Sequence, residues 1–346
     1  MGVNRLQIVM NIGTGSDNSY LLIGNKTAVI ECVGKENATL HTENLKNALG
    51  TQTLDYIILN HTSPDNIGSL DMLMELYPDV TIVSSTAGIK NLTEILNKSF
   101  KYELAKDEAV LDLGKNITLK FYILPNLPWT DTMAVYYENE RILYSGSIFF
   151  DDENYSQIYS EYAQNAAERL KNLDIDKILP MYGKPITNPQ KVLELYMSDH
   201  ETVDFIPIIY SSVYGYTAEL ANAVCSVFIK NGISAKCFNA DTETDLHNVL
   251  NMCRAFAVGT DTINRNASQS IWNVLTKIDM INKRNTPCLI FGSCGWSGEG
   301  AYLAERFLKN IGLKPFGKPF STHFKPSDEE LNQLESYVQK FINERN

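Results

Sequence analysis

Apolar residues in the first half of the chain fall in short runs divided by turn signals. Tyr20–Ile23 and Thr27–Cys32 flank Gly24-Asn25, which predicts a β-hairpin. Further strand-like runs occur at Tyr56–Leu59, Val80–Val83, Ile117–Ile123, Met133–Tyr137 and Arg141–Tyr144. Between them, apolar residues recur at helical spacing in Ala38–Leu49, Ile67–Tyr77, Ala87–Leu96 and from Tyr155 to Leu173. An opening hairpin followed by mixed strands and helices predicts stacked sheets covered by helices.

From Lys184 to Asp204 the pattern breaks down into prolines and charges around one amphipathic turn, Val192–Met197, which reads as a connector. A domain boundary near residue 200 follows, giving domains 1–200 and 201–346. Beyond it the period changes. Apolar strands at Phe205–Tyr210, Ala235–Phe238, Ala255–Gly259 and Pro287–Gly292 alternate with helices over Thr217–Asn231, Ser268–Ile278, Gly298–Ile311 and Asp328–Asn343. That order predicts an α/β domain with a doubly wound parallel sheet and ligands at the carboxyl ends of its strands.

Composition narrows the function classes. A chain of 346 residues has room for two cores, and its 44% hydrophobic and 21% charged content is ordinary for a soluble globular protein. A net charge of −11 disfavours nucleic acid and anionic membrane as partners. The six cysteines form no Cys-x-x-Cys pair, as expected of reduced thiols in the cytoplasm. Met1–Val9 lacks a secretory pattern, Leu6 does not fit a myristoylation signal, and no apolar run is long enough to span a membrane.

Three segments of the second half carry candidate chemistry. Ser211-Ser212-Val213-Tyr214-Gly215-Tyr216-Thr217 runs from a strand into a helix, with hydroxyls, a glycine and free N–H groups suited to an anion, and without Lys or Arg. Taken alone, it serves equally well as a Ser/Thr helix cap. Gly259-Thr260-Asp261-Thr262-Ile263-Asn264 and Ser293-Cys294-Gly295-Trp296-Ser297-Gly298 are expected as loops after later strands. Trp296 between glycines suits a planar ring, and Thr260, Thr262, Asn264 and Ser293 offer directed hydrogen bonds.

In the first half, His61 and Asp65 stand four residues apart on a strand-to-helix turn, where two side chains can converge on a cation. Ser63 between them and Asn66 just after Asp65 occupy positions that a two-metal site would give to a carboxylate and a second imidazole.

These segments resemble the flavodiiron proteins, flavoproteins that reduce oxygen or nitric oxide. Ser211–Thr217, Gly259–Asn264 and Phe291–Glu299 resemble the FMN loops of their flavodoxin-like domain. Asn18–Ile23 followed by Lys26–Ile30 is similar to the opening of their αββα metallo-β-lactamase-like domain. The resemblance covers almost the whole chain. It implies an N-terminal metallo-β-lactamase-like domain, a C-terminal flavodoxin-like domain, FMN as cofactor and a head-to-tail homodimer. It also implies electrons from a rubredoxin-like carrier or a flavin reductase.

Against the family's ligand pattern, His61 and Asp65 match. Ser63 stands for a glutamate, Asn66 for a histidine, Pro128 for a histidine, Ser147 for the bridging aspartate and Tyr182 for the last histidine. The remaining histidines, His41, His200, His247 and His323, are expected in helices or connectors away from these loops. One His and one Asp cannot hold two irons, so iron is not expected, and the pair reads as a hydrogen-bonded remnant of the turn.

Asp261 stands where the family has proline. It either lowers the flavin potential by its charge or points to solvent. Cys294 beside it is expected to fill space. Three readings follow: an FMN electron-transfer protein, an atypical oxygen or nitric oxide reductase keeping a metal at His61 and Asp65, and a non-catalytic partner of a complete homologue.

Overall fold

The computed structural model describes residues 17–127, 129–149, 161–197, 203–280 and 282–344. The opening segment Met1–Val9, Pro128, the first part of the helix expected from Tyr155, and His200 lie outside them. The chain divides into two compact units, Met1–Ser198 and Asp199–Asn346.

The first unit has two five-stranded sheets. One runs β1 (Tyr20–Ile23), β2 (Thr27–Ile30), β3 (Tyr56–Ile58), β4 (Thr81–Ser84) and β5 (Lys101–Leu104), parallel except for the β1–β2 hairpin. The other comprises β6 (Val110–Gly114), β7 (Ile117–Ile123), β8 (Met133–Tyr137), β9 (Ile142–Gly146) and β10 (Lys177–Pro180). Helices α1 (Ala38–Leu49), α2 (Leu70–Leu76) and α3 (Thr86–Leu96) cover the first sheet, and α4 (Glu161–Leu170) and α5 (Pro189–Met197) cover the second.

Strand alternation explains these layers. Tyr20, Leu22, Ala28, Ile30, Tyr56 and Ile58 face Phe121, Val135 and Tyr144 in the core between the sheets. Their neighbours Leu21, Val29 and Ile57 turn outward onto Leu45, Leu70 and Leu92 of the helices. The result is the expected αββα sandwich.

The Lys184–Asp204 segment corrects the connector reading. Its α5 is a nine-residue helix that buries Val192, Leu193 and Tyr196 against the second sheet. The prolines conceal it because one of them, Pro189, occupies the first helical turn, where no backbone N–H is needed.

The second unit is built on a sheet ordered β12 (Ala235–Asn239), β11 (Ile206–Tyr210), β13 (Phe256–Ile263), β15 (Pro287–Cys294) and β16 (Lys314–Pro315). Short β14 (Asn266–Ala267) pairs with β13, and β17 (Phe320–His323) pairs with β15. Helices α6 (Tyr216–Lys230) and α10 (Asp328–Glu344) cover one face. Helices α7 (Leu246–Met252), α8 (Gln269–Leu275) and α9 (Glu299–Asn310) cover the other. The strands flanking β11 on both sides are parallel to it, so the winding reverses there and opens a crevice at its carboxyl end.

Two expected loops are partly strand. Gly259–Ile263 continue β13, and Ser293 and Cys294 continue β15, because Thr260 pairs with Gly292 and Asp261 with Ser293. His323 is likewise in a strand, opposite Cys294, rather than in a helix or connector. Among the described residues no helix is long and apolar enough to cross a membrane.

Candidate functional site

At the crevice of the second unit, β11 passes into α6 through Ser211–Gly215. Gly215 has φ +85, a left-handed conformation that glycine adopts without a Cβ penalty, and it aims the chain into the helix. The Ser211 N–H donates to the Gly259 carbonyl at 3.1 Å, continuing the sheet ladder for one residue. The Ser212 hydroxyl then caps α6, accepting from the Ala218 N–H at 3.1 Å.

Two carboxylates take four further donors of the loop. Val213 N–H donates to Asp261 Oδ2 at 2.5 Å, and the Thr217 hydroxyl donates to Asp261 Oδ1. Ser293 Oγ lies 2.9 Å from Thr217 Oγ1 and 3.3 Å from Asp261 Oδ1. On the other side, Ser212 N–H and Ser211 Oγ each donate to Asp241 at 3.0 Å, joined by Ser270 Oγ at 2.6 Å. Asp261 is buried at 8% exposure, which corrects the solvent-facing alternative, whereas Asp241 is exposed.

The ring-binding candidates divide in the same way. Trp296 and Tyr214 are open, at 89% and 79% exposure, as a face for a planar ligand requires. Thr260 is fully buried, and its hydroxyl serves the Ser268 N–H at 3.1 Å and the Asp261 carbonyl at 2.9 Å. Thr262 Oγ1 accepts from Gly300 N–H at 3.2 Å. Asn264 (φ +50) and Arg265 (φ +59) form a two-residue hairpin turn between β13 and β14, and Asn264 is exposed.

Gly295 runs against the Phe324 ring, and Ser297 and Gly298 lead into α9. Cys294 is buried, and burial followed by the Glu299 charge pushes its thiol above the usual range. His323 Nδ1 lies 3.9 Å from its sulfur, a neighbour that sequence spacing did not reveal.

In the first unit, the loop after β3 packs inward instead of opening to solvent. Asn18 positions its partner, donating from Nδ2 to the Pro180 and Gly183 carbonyls at 2.9 Å and so fixing the turn that carries Tyr182. The Tyr182 hydroxyl donates to Asn66 Oδ1. Asn66 Nδ2 in turn lies 2.6 Å from His61 Nε2 and 2.7 Å from Ser63 Oγ, and Ser63 Oγ is 3.2 Å from His61 Nε2.

His61 is thus hydrogen-bonded, but to Asn66 and Ser63. Asp65 is exposed and acts on it only through charge, which corrects the expected His61–Asp65 pairing. Burial lowers the His61 pKa, against the raising influence of Asp131 and Asp65.

Sequence reasoning overlooked two acids here. Asp131 holds the loop, accepting from Thr62 N–H at 2.8 Å and from the Thr62 hydroxyl at 2.6 Å. Glu31 is buried at φ +69, and burial raises its carboxyl to about 8. A charged residue closing the apolar run Thr27–Ile30 was the available signal. Glu31 Oε1, Asn60 Oδ1, His61 Nδ1, Asp131 Oδ1, Ser145 Oγ and Ser147 Oγ are all buried without a hydrogen-bond partner. Among the described residues no group of three or more His, Cys, Asp or Glu is arranged to hold a metal ion.

An αββα unit followed by a parallel sheet whose crevice lies at its winding reversal defines a class: a metallo-β-lactamase-like domain joined to a flavodoxin-like domain. Residues 16–175 match the family described as ODP family beta lactamase. The flavo-diiron protein FprA2 of Clostridium acetobutylicum is 32% identical, over 96% of this chain and 93% of its own length. The chain therefore belongs to the flavodiiron protein family.

The anaerobic nitric oxide reductase flavorubredoxin of Escherichia coli is 27% identical, over 86% of this chain and 70% of its own. The chain spans less than two thirds of the longer diflavin flavoproteins of Nostoc sp. that it also resembles. Rubredoxin oxygen:oxidoreductase from Desulfovibrio gigas shares the fold, with a TM-score of 0.71 at 22% identity over 97% of this chain and 92% of that one.

Proposed function

We propose that this protein is a flavin-dependent electron-transfer protein whose β-lactamase-like domain no longer holds two irons. The hydrogen-bonded chain from Tyr182 through Asn66 to His61 carries this reading. At four of the positions that the family resemblance assigns to ligands, His61, Ser63, Asn66 and Tyr182, side chains bond to one another. The donors present do not fit a diiron centre: His61 Nε2 is engaged by an amide, Ser63 and Ser147 are neutral hydroxyls, Tyr182 is a phenol whose pKa burial raises, and Asp65 is exposed. A pair of di- or trivalent ions requires anionic ligands to offset its charge.

The flavin, FMN by the same resemblance, would lie against the strand ends of the second domain. Trp296 and Tyr214 would flank its ring, and Ser211–Thr217, Thr262, Asn264 and Gly295–Gly298 would line its side chain and edge. A bound flavin supplies one- and two-electron transfer at its ring. With Trp296 and Tyr214 themselves exposed, a ring held against them would lie at the surface, within reach of a second protein. The rubredoxin named for the Desulfovibrio gigas relative supports a rubredoxin-like carrier as donor, and the family resemblance implies a flavin reductase as the other donor and a head-to-tail homodimer.

Iron and zinc analysis, flavin potentiometry and stopped-flow reoxidation by oxygen and nitric oxide, all on one preparation, test the proposal. Expected are flavin without stoichiometric metal and slow reoxidation by both gases. Stoichiometric iron with fast turnover would favour the reductase reading, for which the unpartnered His61 Nδ1 is the available ligand atom. A flavin that no donor protein reduces would leave only the non-catalytic partner.

A further inference from the structure

We infer that Asp261 occupies the phosphate position of the flavin site, so that this chain has no preference for FMN over phosphate-free riboflavin. The inference rests on the flavin reading above and concerns which flavin the site accepts.

A phosphate at a strand-to-helix turn is held by backbone N–H groups and hydroxyls that converge on its oxygens. Here the Val213 N–H, the Thr217 hydroxyl and Ser293 Oγ converge on Asp261 instead. A carboxylate and a phosphate need the same donors and repel each other, so the two do not share the cradle. Nor does nearby charge offset the repulsion. Ser211–Thr217 contains no Lys or Arg, and Arg265 is paired with Glu299 at 2.8 Å.

Asp241 presents a weaker obstacle. It is exposed, so its side chain can rotate into water and release Ser211 and Ser212. Asp261 is buried on β13, and its two carboxylate oxygens are held by the Val213 N–H, the Thr217 hydroxyl and Ser293 Oγ. Its chemistry suits a different ligand end. A terminal ribityl hydroxyl is a donor that a carboxylate accepts without charge conflict. Trp296 and Tyr214 remain open for the ring in either flavin.

The test titrates flavin-stripped full-length protein with FMN and with riboflavin, following flavin fluorescence. The wild-type chain is expected to bind riboflavin at least as tightly as FMN. Asp261→Ser should tighten FMN at least about tenfold, roughly one charge-assisted hydrogen bond regained, without tightening riboflavin. Asp261→Asn keeps the side-chain shape and removes the charge, so it should shift FMN in the same direction should the serine variant fail to fold. Inorganic phosphate is a flavin-free probe of the cradle and should raise the Tm of the variants but not of the wild type. Wild-type protein that binds FMN tenfold tighter than riboflavin, or that phosphate stabilises as much as the variants, overturns the assignment. Neither flavin binding to any of the proteins overturns the flavin reading itself, and this assignment with it.

Discussion

Tyr182 donates its phenolic hydrogen to the side-chain oxygen of Asn66 across 116 residues of sequence, and the amide of Asn66 reaches His61 Nε2 at 2.6 Å. One bond therefore links the turn after β10 to the loop after β3. Asn66→Ala leaves the phenol and the imidazole without this partner and is expected to cost about 1–3 kcal/mol, whereas Tyr182→Phe removes the hydroxyl's bond to Asn66, worth about 1 kcal/mol. Urea denaturation midpoints measure both, and a neutral Asn66→Ala would mean that the network contributes nothing to stability.

Rebuilding the family's ligand pattern should create metal affinity where the parent has little. A chain carrying Ser63→Glu, Asn66→His, Pro128→His, Ser147→Asp and Tyr182→His is expected to retain iron through gel filtration, read by elemental analysis. The parent chain, treated in parallel, is expected to retain only traces.

Glu31 gives the first domain a pH signature. Burial raises its carboxyl from 4.5 to about 8, so the folded chain keeps a proton that the unfolded chain releases. Its contribution to stability is complete below 4.5 and is lost as pH rises through 8, by up to about 1.4 kcal/mol per pH unit. Glu31→Gln should flatten that decline. Denaturation midpoints compared at weakly acidic and weakly alkaline pH decide it, and identical slopes in both proteins would refute the assignment.

Gly146 is the tight point of the same pocket. Its φ is +63, and a Cβ there would lie 2.8 Å from the Asn60 Cβ. Gly146→Ala combines backbone strain with overpacking and should destabilise by about 2–3 kcal/mol, measured by calorimetry.

Trp296 should matter for the ligand and not for the fold, since 89% of it is exposed. Trp296→Ala is expected to weaken flavin binding by about threefold to tenfold, the usual worth of one aromatic contact, with Tm unchanged. Titration by flavin fluorescence reads the first effect and thermal denaturation the second.

Elements with a strong apolar pattern were readable along the chain. Tyr20–Ile23, Ala38–Leu49, Ile117–Ile123 and Met133–Tyr137 form as their periodicity predicts. Lys101–Leu104 was not readable, because all four of its residues are exposed and only pairing with β4 makes them a strand. The short α7 and the strands β16 and β17 were missed for a related reason: two to seven residues carry too little periodicity to stand out.

The sequence by itself determined the two-domain architecture and the family, and through the family's pattern the expectation that most ligand positions are replaced, because these depend on residue identity and spacing. Tertiary structure alone decided where the remaining polar groups point. Asp261 turns into the cradle, Asp65 turns out to solvent, and His61 bonds to Asn66. Glu31, just after β2, and Asp131, just before β8, come to the same pocket from segments far apart in the chain. A side chain's partner is set by which strand ends the sheets bring together, and that pairing has no local signature in the sequence.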